Sequence, residues 1–528
     1  MSKGSIIFIL HLLFPKKNGG KRTINSPSAE LKEIQVSIDH LLRKQQNIFL
    51  EENKIKSNVS HAFIKKKSIM TNASVHKHKR YVLNIDLEDF FDSFHFGRVC
   101  GYFEKNKNFL FPKNTATVLA QFTCYDGKLP QGAPTSPIIT NLICNVLDMR
   151  LLKTAKKFRL DYSRYADDLT FSTNDKNFLK NYDTFLEQSK KIVDQCGFAI
   201  NNKKTRLQYR DSKQVVTGLV VNEKVNINRL FYRKTRSMAD SFYRTGEFKI
   251  DDKEGNLNRL EGRFSFINQI DKLNNKIKPD SLLNGREKQY QMFLFYKYFY
   301  CNANPCIVTE GKTDIIYIKS ALKKLYLLYP NLVERKTDGT FQFKISFLRR
   351  SKRLKYFFDL DFDGADTMGK IYNYYSKVNN QKYPNYAEKF DKKGVSFINP
   401  TILIYDNELS NTSKPLFKFT KLTGINNDKA KLASLKKNHH VNVTSNLHIL
   451  THQLVNGLSE CEIEDLFDSN TLNTILSGKT FERDLKKFDE KTNYGKSAFA
   501  DYISKNYQNI NFDKFKPLLK NLSTIVTP

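Results

Sequence analysis

The chain has no tryptophan, no Cys-x-x-Cys pair and no long apolar run, and its acidic residues are heavily outnumbered by basic ones. Its seven cysteines (Cys100, Cys124, Cys144, Cys196, Cys301, Cys306 and Cys461) are odd in number and scattered. Neither a disulfide framework nor a zinc site is indicated, and a reducing cytoplasm is expected. The longest apolar stretch, Ile6 to Phe14, is interrupted by His11 and falls short of the ~20 residues of a membrane span. It runs straight into Pro15-Lys16-Lys17-Asn18-Gly19-Gly20-Lys21-Arg22 without a small-residue cleavage site. That pattern predicts a buried strand entering a basic turn, and no membrane partner. The shortage of acid is the most telling lack: 87 Lys and Arg against 54 Asp and Glu give a formal charge of +33. Clustered charge of this size favours a polyanion, with nucleic acid the natural candidate.

What is present is enough for about three or four compact units, since 528 residues with 40% hydrophobic content can bury real cores. Apolar positions at helical spacing predict a helix from Glu30 to Leu50. Ser136 before Pro137 predicts a helix start with Ser136 as the capping hydroxyl, running to about Lys157. Residues 178–196 and most of Arg229 to Asp271 read as helical, and Val215 to Val221 as a strand. The polar stretch Asn274 to Arg286, with Pro279 and Gly285, reads as a linker. Beyond it strands and helices alternate, as in an α/β domain.

Tyr165-Ala166-Asp167-Asp168 lies between two short β-rich runs, Leu160 to Tyr165 and Leu169 to Ser172, which predicts a hairpin with acids at its tip. An isolated Asp pair would merely favour a turn. Here a third acid, Asp86, ends the apolar run Tyr81 to Ile85. Three carboxylates so placed can bridge two magnesium ions to substrate phosphates for an in-line nucleotidyl transfer.

The surrounding motifs resemble those of reverse transcriptases. Phe91 follows Asp86 by five residues; Leu129-Pro130-Gln131-Gly132 precedes Ser136-Pro137; and Gly197-Phe198 is followed by Asn201, Lys204 and Thr205. The resemblance implies that Asp86, Asp167 and Asp168 are catalytic metal ligands and that Phe91 excludes a 2′-hydroxyl. It also implies that Gln131 and Gly132 meet the incoming deoxynucleotide, Lys204 its triphosphate or pyrophosphate, and Arg22 the triphosphate. Asn72-Ala73-Ser74-Val75-His76 and Val216-Thr217-Gly218 are similar to two elements of the retron branch, implying RNA-binding roles for Asn72, His76, Val216, Thr217 and Gly218. The likeness covers about Phe14 to Asp271. It implies a structured non-coding RNA partner, priming from an internal 2′-hydroxyl, and a branched RNA-linked single-stranded DNA product serving in phage defence. The start is expected to be shortened or shifted, because only Met1 to Phe14 precede the basic turn. The rivals are a group II intron-type reverse transcriptase and a nucleic-acid-binding protein without activity. Basic runs at Lys65 to Lys67, His76 to Arg80 and Arg229 to Arg236, the last interleaved with Phe231 and Tyr232, suit phosphate contact and base stacking.

The strand Cys306 to Thr309, followed by Glu310-Gly311-Lys312-Thr313-Asp314 and a helix, resembles a Toprim domain. By that resemblance Glu310 is an acid or base, and a later acidic pair binds one or two magnesium ions. Asp406 and Glu408, after the apolar strand Thr401 to Tyr405, are favoured for this role, with Asp359 and Asp361 competing. Glu462, Glu464 and Asp465 read as a helix N-terminal charge set. The expected architecture is an α+β right-hand polymerase of fingers, palm and thumb followed by an α/β Toprim-like domain. Residues 1–222 form fingers and palm, 223–273 the thumb, 274–300 a linker, and 301–528 the Toprim-like part with a helical extension.

Overall fold

A computed structural model describes residues 9–15, 21–54, 58–275, 282–376, 382–484 and 486–527. By internal packing the chain divides into two units, one of residues 1–233 and 269–277, the other of 234–268 and 278–528.

In the first unit β1 (Ile9–Pro15) and β2 (Lys21–Pro27) form a two-stranded ribbon, followed by α1 (Ala29–Glu52), capped by the Ser28 hydroxyl. The described part of the opening apolar run is thus a strand, and at Leu12 and Leu13 it is exposed rather than buried. Next come α2 (Ile69–Val75), β3 (Tyr81–Glu88), α3 (Phe96–Lys105), α4 (Lys113–Thr123) and α5 (Ser136–Lys157). The expected cap at Ser136 is corrected: it is the first helical residue, and its hydroxyl donates to the Pro130 carbonyl at 2.7 Å. That bond closes the Leu129 to Ser136 loop on itself. Then β4 (Asp161–Tyr165), β5 (Asp168–Thr173), α6 (Tyr182–Gln195), β6 (Ala199–Ile200) and β7 (Arg206–Tyr209) complete an antiparallel sheet with β3 at its centre.

Strand periodicity sorts this sheet into two chemically distinct faces. Leu83, Ile85 and Leu87 of β3, with Leu169 and Phe171 of β5, enter one core with Ile139, Ile143, Leu147 and Leu151 of α5 and Phe185 and Val193 of α6. Val82, Asn84 and Asp86 point the other way, paired in register with Ser172, Thr170 and Asp168. The predicted strand Val215 to Val221 is instead a hairpin of β8 (Val215–Val216) and β9 (Leu219–Val220). Its turn residues, Thr217 at φ 45° and Gly218 at φ 82°, are both left-handed, the geometry a tight hairpin requires.

Helices α7 (Arg229–Thr245) and α8 (Leu257–Asn274) both cross the boundary between the units, with a small hairpin, β10 (Lys249–Ile250) and β11 (Lys253–Glu254), between them. Residues 234–268 belong to the second unit's core, where Ala239, Tyr243, Phe248, Leu260 and Phe264 pack with Tyr290, Phe293, Tyr296 and Phe390. The linker expected at 274–300 is corrected over its second half. Residues 285–295 are α9 (Gly285–Phe295), continued by a π-helical turn to Tyr300, and both bury aromatic side chains. Sequence polarity marked only the segment ahead of this helix, and residues 276–281 lie outside the described ones.

The second unit continues with β12 (Cys306–Thr309), α10 (Lys312–Lys324), a hairpin of β13 (Val333–Arg335) and β14 (Phe341–Phe343), β15 (Ser346–Phe347) and α11 (Lys352–Phe358). Then come β16 (Thr401–Tyr405), β17 (His440–Thr444) and β18 (Leu447–Thr451). Its main sheet has the order β15-β12-β16-β18-β17, parallel except for β17. Among the described residues no helix is long and apolar enough to cross a membrane.

Candidate active sites

On the polar face of the first sheet the side chains form a ladder that ends in acids. Ser163 donates to Asn72 Oδ1 at 2.6 Å, and His76 lies between Ser172 (2.8 Å) and Ser163 (2.7 Å). One rung on, Thr170 bonds Asn84, whose amide donates to the Val215 carbonyl at 3.0 Å. One rung further, Asp86 and Asp168 stand opposite each other. Asn72 and His76 are fully buried, so neither offers an atom to RNA; they fasten α2 to the sheet. Val216 is buried as well, and Thr217 approaches the Ile69 carbonyl of α2 at 3.4 Å. The second retron-like element thus rests against α2, the helix that carries the first.

Burial drives the His76 pKa down to about 3 and that of His61 to about 4. Both sites hold the neutral ring, while the unfolded chain takes a proton near pH 6.5. The unfolded state binds more protons below that value, so this stability is complete above about pH 6.5 and is lost as pH falls toward 3. At full extent His76 accounts for about 5 kcal/mol. Urea unfolding between pH 7 and pH 4 should show this slope, and His76→Gln should flatten it.

The Tyr165–Asp168 turn carries Ala166 at φ 56°, a left-handed conformation that an alanine adopts only when its surroundings enforce it. The enforcement comes from Arg164, a fully buried guanidinium on the core face of β4. It donates to the Ala166 carbonyl at 3.1 Å and grips both oxygens of Asp148 on α5 at 2.8 Å. Tyr162 adds a bond to Asp148 at 3.0 Å. Motif reading passed over Arg164 and Asp148; their signal was a charge at a core-facing strand position and another inside an apolar helix.

From the other side, β6 pairs with the end of β3 and the following turn is pinned by Asn201 N–H donating to the Asp86 carbonyl at 2.8 Å. This delivers Lys204, whose ammonium sits 3.0 Å from the Asp86 carboxylate. Phe198, in the same motif, packs against Phe90 and Phe94 under the Arg98 guanidinium. Phe91 is half-buried with its ring edge-on to Phe90, at the turn following Asp86.

Gln131 and Gly132 are backed by β2, since Asn25 N–H donates to the Gln131 carbonyl at 2.7 Å. Gly132 has φ 122°, and a Cβ there would stand 2.6 Å from the Asn25 carbonyl oxygen. Gly132→Ala should therefore displace the loop at about 1–3 kcal/mol, read as a raised KM for deoxynucleotide with primer–template affinity kept. Arg22 falls within β2, but its side chain lies outside the described residues.

Among the described residues no trio of acidic, histidine or cysteine side chains forms a ready-made metal cage. The electrostatics nonetheless suit a divalent cation. Burial, then Asp167 and Asp86, push the Asp168 pKa up to about 7, against the pull of Lys204 and Arg206. Oxygen-only ligands under mutual repulsion fit magnesium, which takes one or two carboxylates and completes its shell with water and substrate phosphates.

The second unit gathers another set of acids at the carboxyl ends of two adjacent parallel strands. Glu310 follows β12 and Asp406 follows β16; the Asp406 N–H donates to Glu310 Oε1 at 2.9 Å. Asp314, in the first turn of α10, accepts from Gly311 N–H at 2.7 Å. Burial, then the charge of Asp406, raise the pKa of both Glu310 and Asp314 well above the carboxylate range. Asp406 also accepts from Ile463 N–H at 2.9 Å, with buried His452 at 3.5 Å. Glu408 is buried and paired with Lys414 at 2.5 Å.

The side chains of the competing pair are taken up in ion pairs of their own, Asp359 with Lys382 at 2.9 Å and Asp361 with Lys355 at 2.7 Å. The geometry thus joins Glu310 to Asp406. Glu464, expected as a helix-end charge, is fully buried with Lys496 at 3.1 Å, and burial raises its pKa. Nothing in the local sequence distinguished it from its neighbours; Glu462 and Asp465 do form the expected cap.

Residues 14–232 match the family described as reverse transcriptase (RNA-dependent DNA polymerase). The Retron Ec86 reverse transcriptase of Escherichia coli is 36% identical over 271 residues, covering 51% of this chain and 78% of that protein. The Retron Mx162 reverse transcriptase of Myxococcus xanthus is 33% identical, covering 49% of this chain and 56% of that protein. The Retron Ec73 reverse transcriptase of Escherichia coli is also 33% identical, covering 49% of this chain and 84% of that protein. With these relatives beside an acid-tipped hairpin held in register with Asp86, the chain belongs to the retron reverse transcriptases, RNA-directed DNA polymerases.

Proposed function

We propose that this polymerase copies a structured non-coding RNA from its own locus into a branched, RNA-linked single-stranded DNA. In this reading Asp86, Asp167 and Asp168 hold two magnesium ions. Bound there, the metals would activate the attacking hydroxyl and neutralise the leaving pyrophosphate. The chain's own groups do the rest. Lys204 compensates charge at Asp86 and is placed to follow the triphosphate. Phe91 forms the wall against a ribose 2′-hydroxyl, and the Gln131-Gly132 loop seats the nucleotide. Exposed Lys65, Lys66 and Lys77 offer phosphate contacts, whereas Asn72 and His76 act by fastening to the sheet the helix α2 that Thr217 of the hairpin approaches. The observation that carries the polymerase reading is the cross-strand placement of Asp86 opposite Asp168, with Lys204 beside them.

For the second unit the reading is a Toprim-like effector in antiphage defence, with Glu310 as acid or base and Asp406 and Glu408 on magnesium. Its support is the parallel sheet with acids at adjacent strand ends and their mutual repulsion. The test is to express the gene with its upstream flank and look for small DNA whose mobility shifts after ribonuclease treatment. Wild type should yield it and Asp86→Asn should not. Glu310→Gln should keep the DNA and lose phage protection; unchanged protection would remove the effector role.

A further inference from the structure

Away from the acids, α1, α5 and the end of α3 with the turn after it line a solvent-open pocket of about 70 Å³ in the first unit. Its walls are the amides Gln45, Gln46, Asn106, Asn108 and Asn145 with the rings of Phe49, Tyr102 and Phe109. Leu50 and Leu142 complete the lining, and no charged side chain takes part. Primary amides each offer two donors and an acceptor, and rings offer flat faces, so the ligand class is a neutral, planar, hydrogen-bonding heterocycle. Among the described residues the side-chain amides of Gln45, Gln46, Asn108 and Asn145 bond no other protein group, which leaves them available. The lysines adjoining these residues in the chain, Lys44, Lys105 and Lys107, are exposed, which suits a phosphate backbone passing outside the cavity.

We infer that this cavity takes up an unpaired nucleobase of a single-stranded RNA segment, holding the strand at a point separate from the copying site. The inference rests on the RNA-binding reading of the polymerase. A free nucleotide fits less well, because no cation lines the cavity to meet its phosphates. The base would stack on Phe49 or Tyr102 and be read by the amides, the way single-stranded RNA is ordinarily recognised.

The test is photo-crosslinking of the full chain to a short single-stranded RNA containing thiouridine, with the attached peptide identified by mass spectrometry. Crosslinks should fall on the peptides carrying Phe49, Tyr102 or Phe109. Gln45→Ala with Asn145→Ala, both at exposed positions, should lower their yield about tenfold. Tyr102→Phe should retain crosslinking, since the ring remains. Crosslinks elsewhere only, or an unchanged yield in the double variant, overturn the inference. Displacement by uridine as effective as by RNA of equal base concentration overturns the strand assignment. Primer extension on a preannealed template, measured in parallel, should be unchanged in the double variant. Loss of extension in wild type would count against the polymerase reading alone, because crosslinking needs no catalysis.

Discussion

Arg164→Leu should destabilise the polymerase unit by about 3–5 kcal/mol and abolish primer extension, because it strands a buried carboxylate and releases the Tyr165–Asp168 turn together. Asp148 would lose both guanidinium bonds while remaining almost entirely out of water. Ala166 would lose the donor that holds its carbonyl, leaving a left-handed alanine without support directly before Asp167. Pairing it with Asp148→Leu should restore part of the stability, since no lone charge then remains, but not the activity. Arg164→Lys keeps the charge without the planar fork, and should fold while extending primers slowly. The urea midpoint and the single-nucleotide incorporation rate, measured on the same preparations, separate the two effects. A midpoint equal to wild type for Arg164→Leu would show that the ion pair contributes nothing.

The second large effect concerns the boundary of the polymerase. A chain ended after residue 275 should aggregate or lose extension, although it contains the whole stretch that resembles the reverse transcriptases. The reason is the apolar surface of residues 234–268. Phe264 stacks on Tyr290 and Phe293 at 5.5 and 5.0 Å, and Tyr243 meets Tyr296 and Phe390 at 4.8 and 5.2 Å. Glu261 is paired with Lys297 and Arg353, and Asp240 with Lys393. Baring several aromatic side chains at about 1.5–3 kcal/mol each approaches the entire stability of a domain. Size-exclusion chromatography and primer extension of the shortened chain decide the matter. Monodisperse protein with full extension would show that these helices stand without the second core.

How much was legible in the sequence follows from which interactions are local. The hairpin of acids and the long helix to Lys157 were readable, because alternation and helical spacing are set by near neighbours, whereas the strand of Asp86 runs on to Glu88 through its pairing with β6. The merging of residues 234–268 with a core built from residues beyond 285 was not, because the partners are far apart in the chain and look like ordinary aromatics. The same holds at the sites. Asp86, Asp168 and Lys204 announced themselves by motif, whereas Arg164 and Asp148 gained meaning only when their strand and helix faces were known. His76 and Asn72 were noticed as a pattern, but their burial between α2 and the sheet depends on serines about 90 residues later. In the second unit Glu310 and Asp406 lie 96 positions apart and meet only through parallel strand pairing.

The most direct test of the central claim is single-turnover addition of one deoxynucleotide to a preannealed DNA primer on RNA template, across a magnesium titration, by wild type and Asp86→Asn. With primer–template affinity unchanged, the variant should add nucleotide at least about a thousandfold more slowly at every magnesium concentration. A rate within tenfold of wild type would mean that Asp86 and the acid-tipped hairpin opposite it are not where the chemistry occurs.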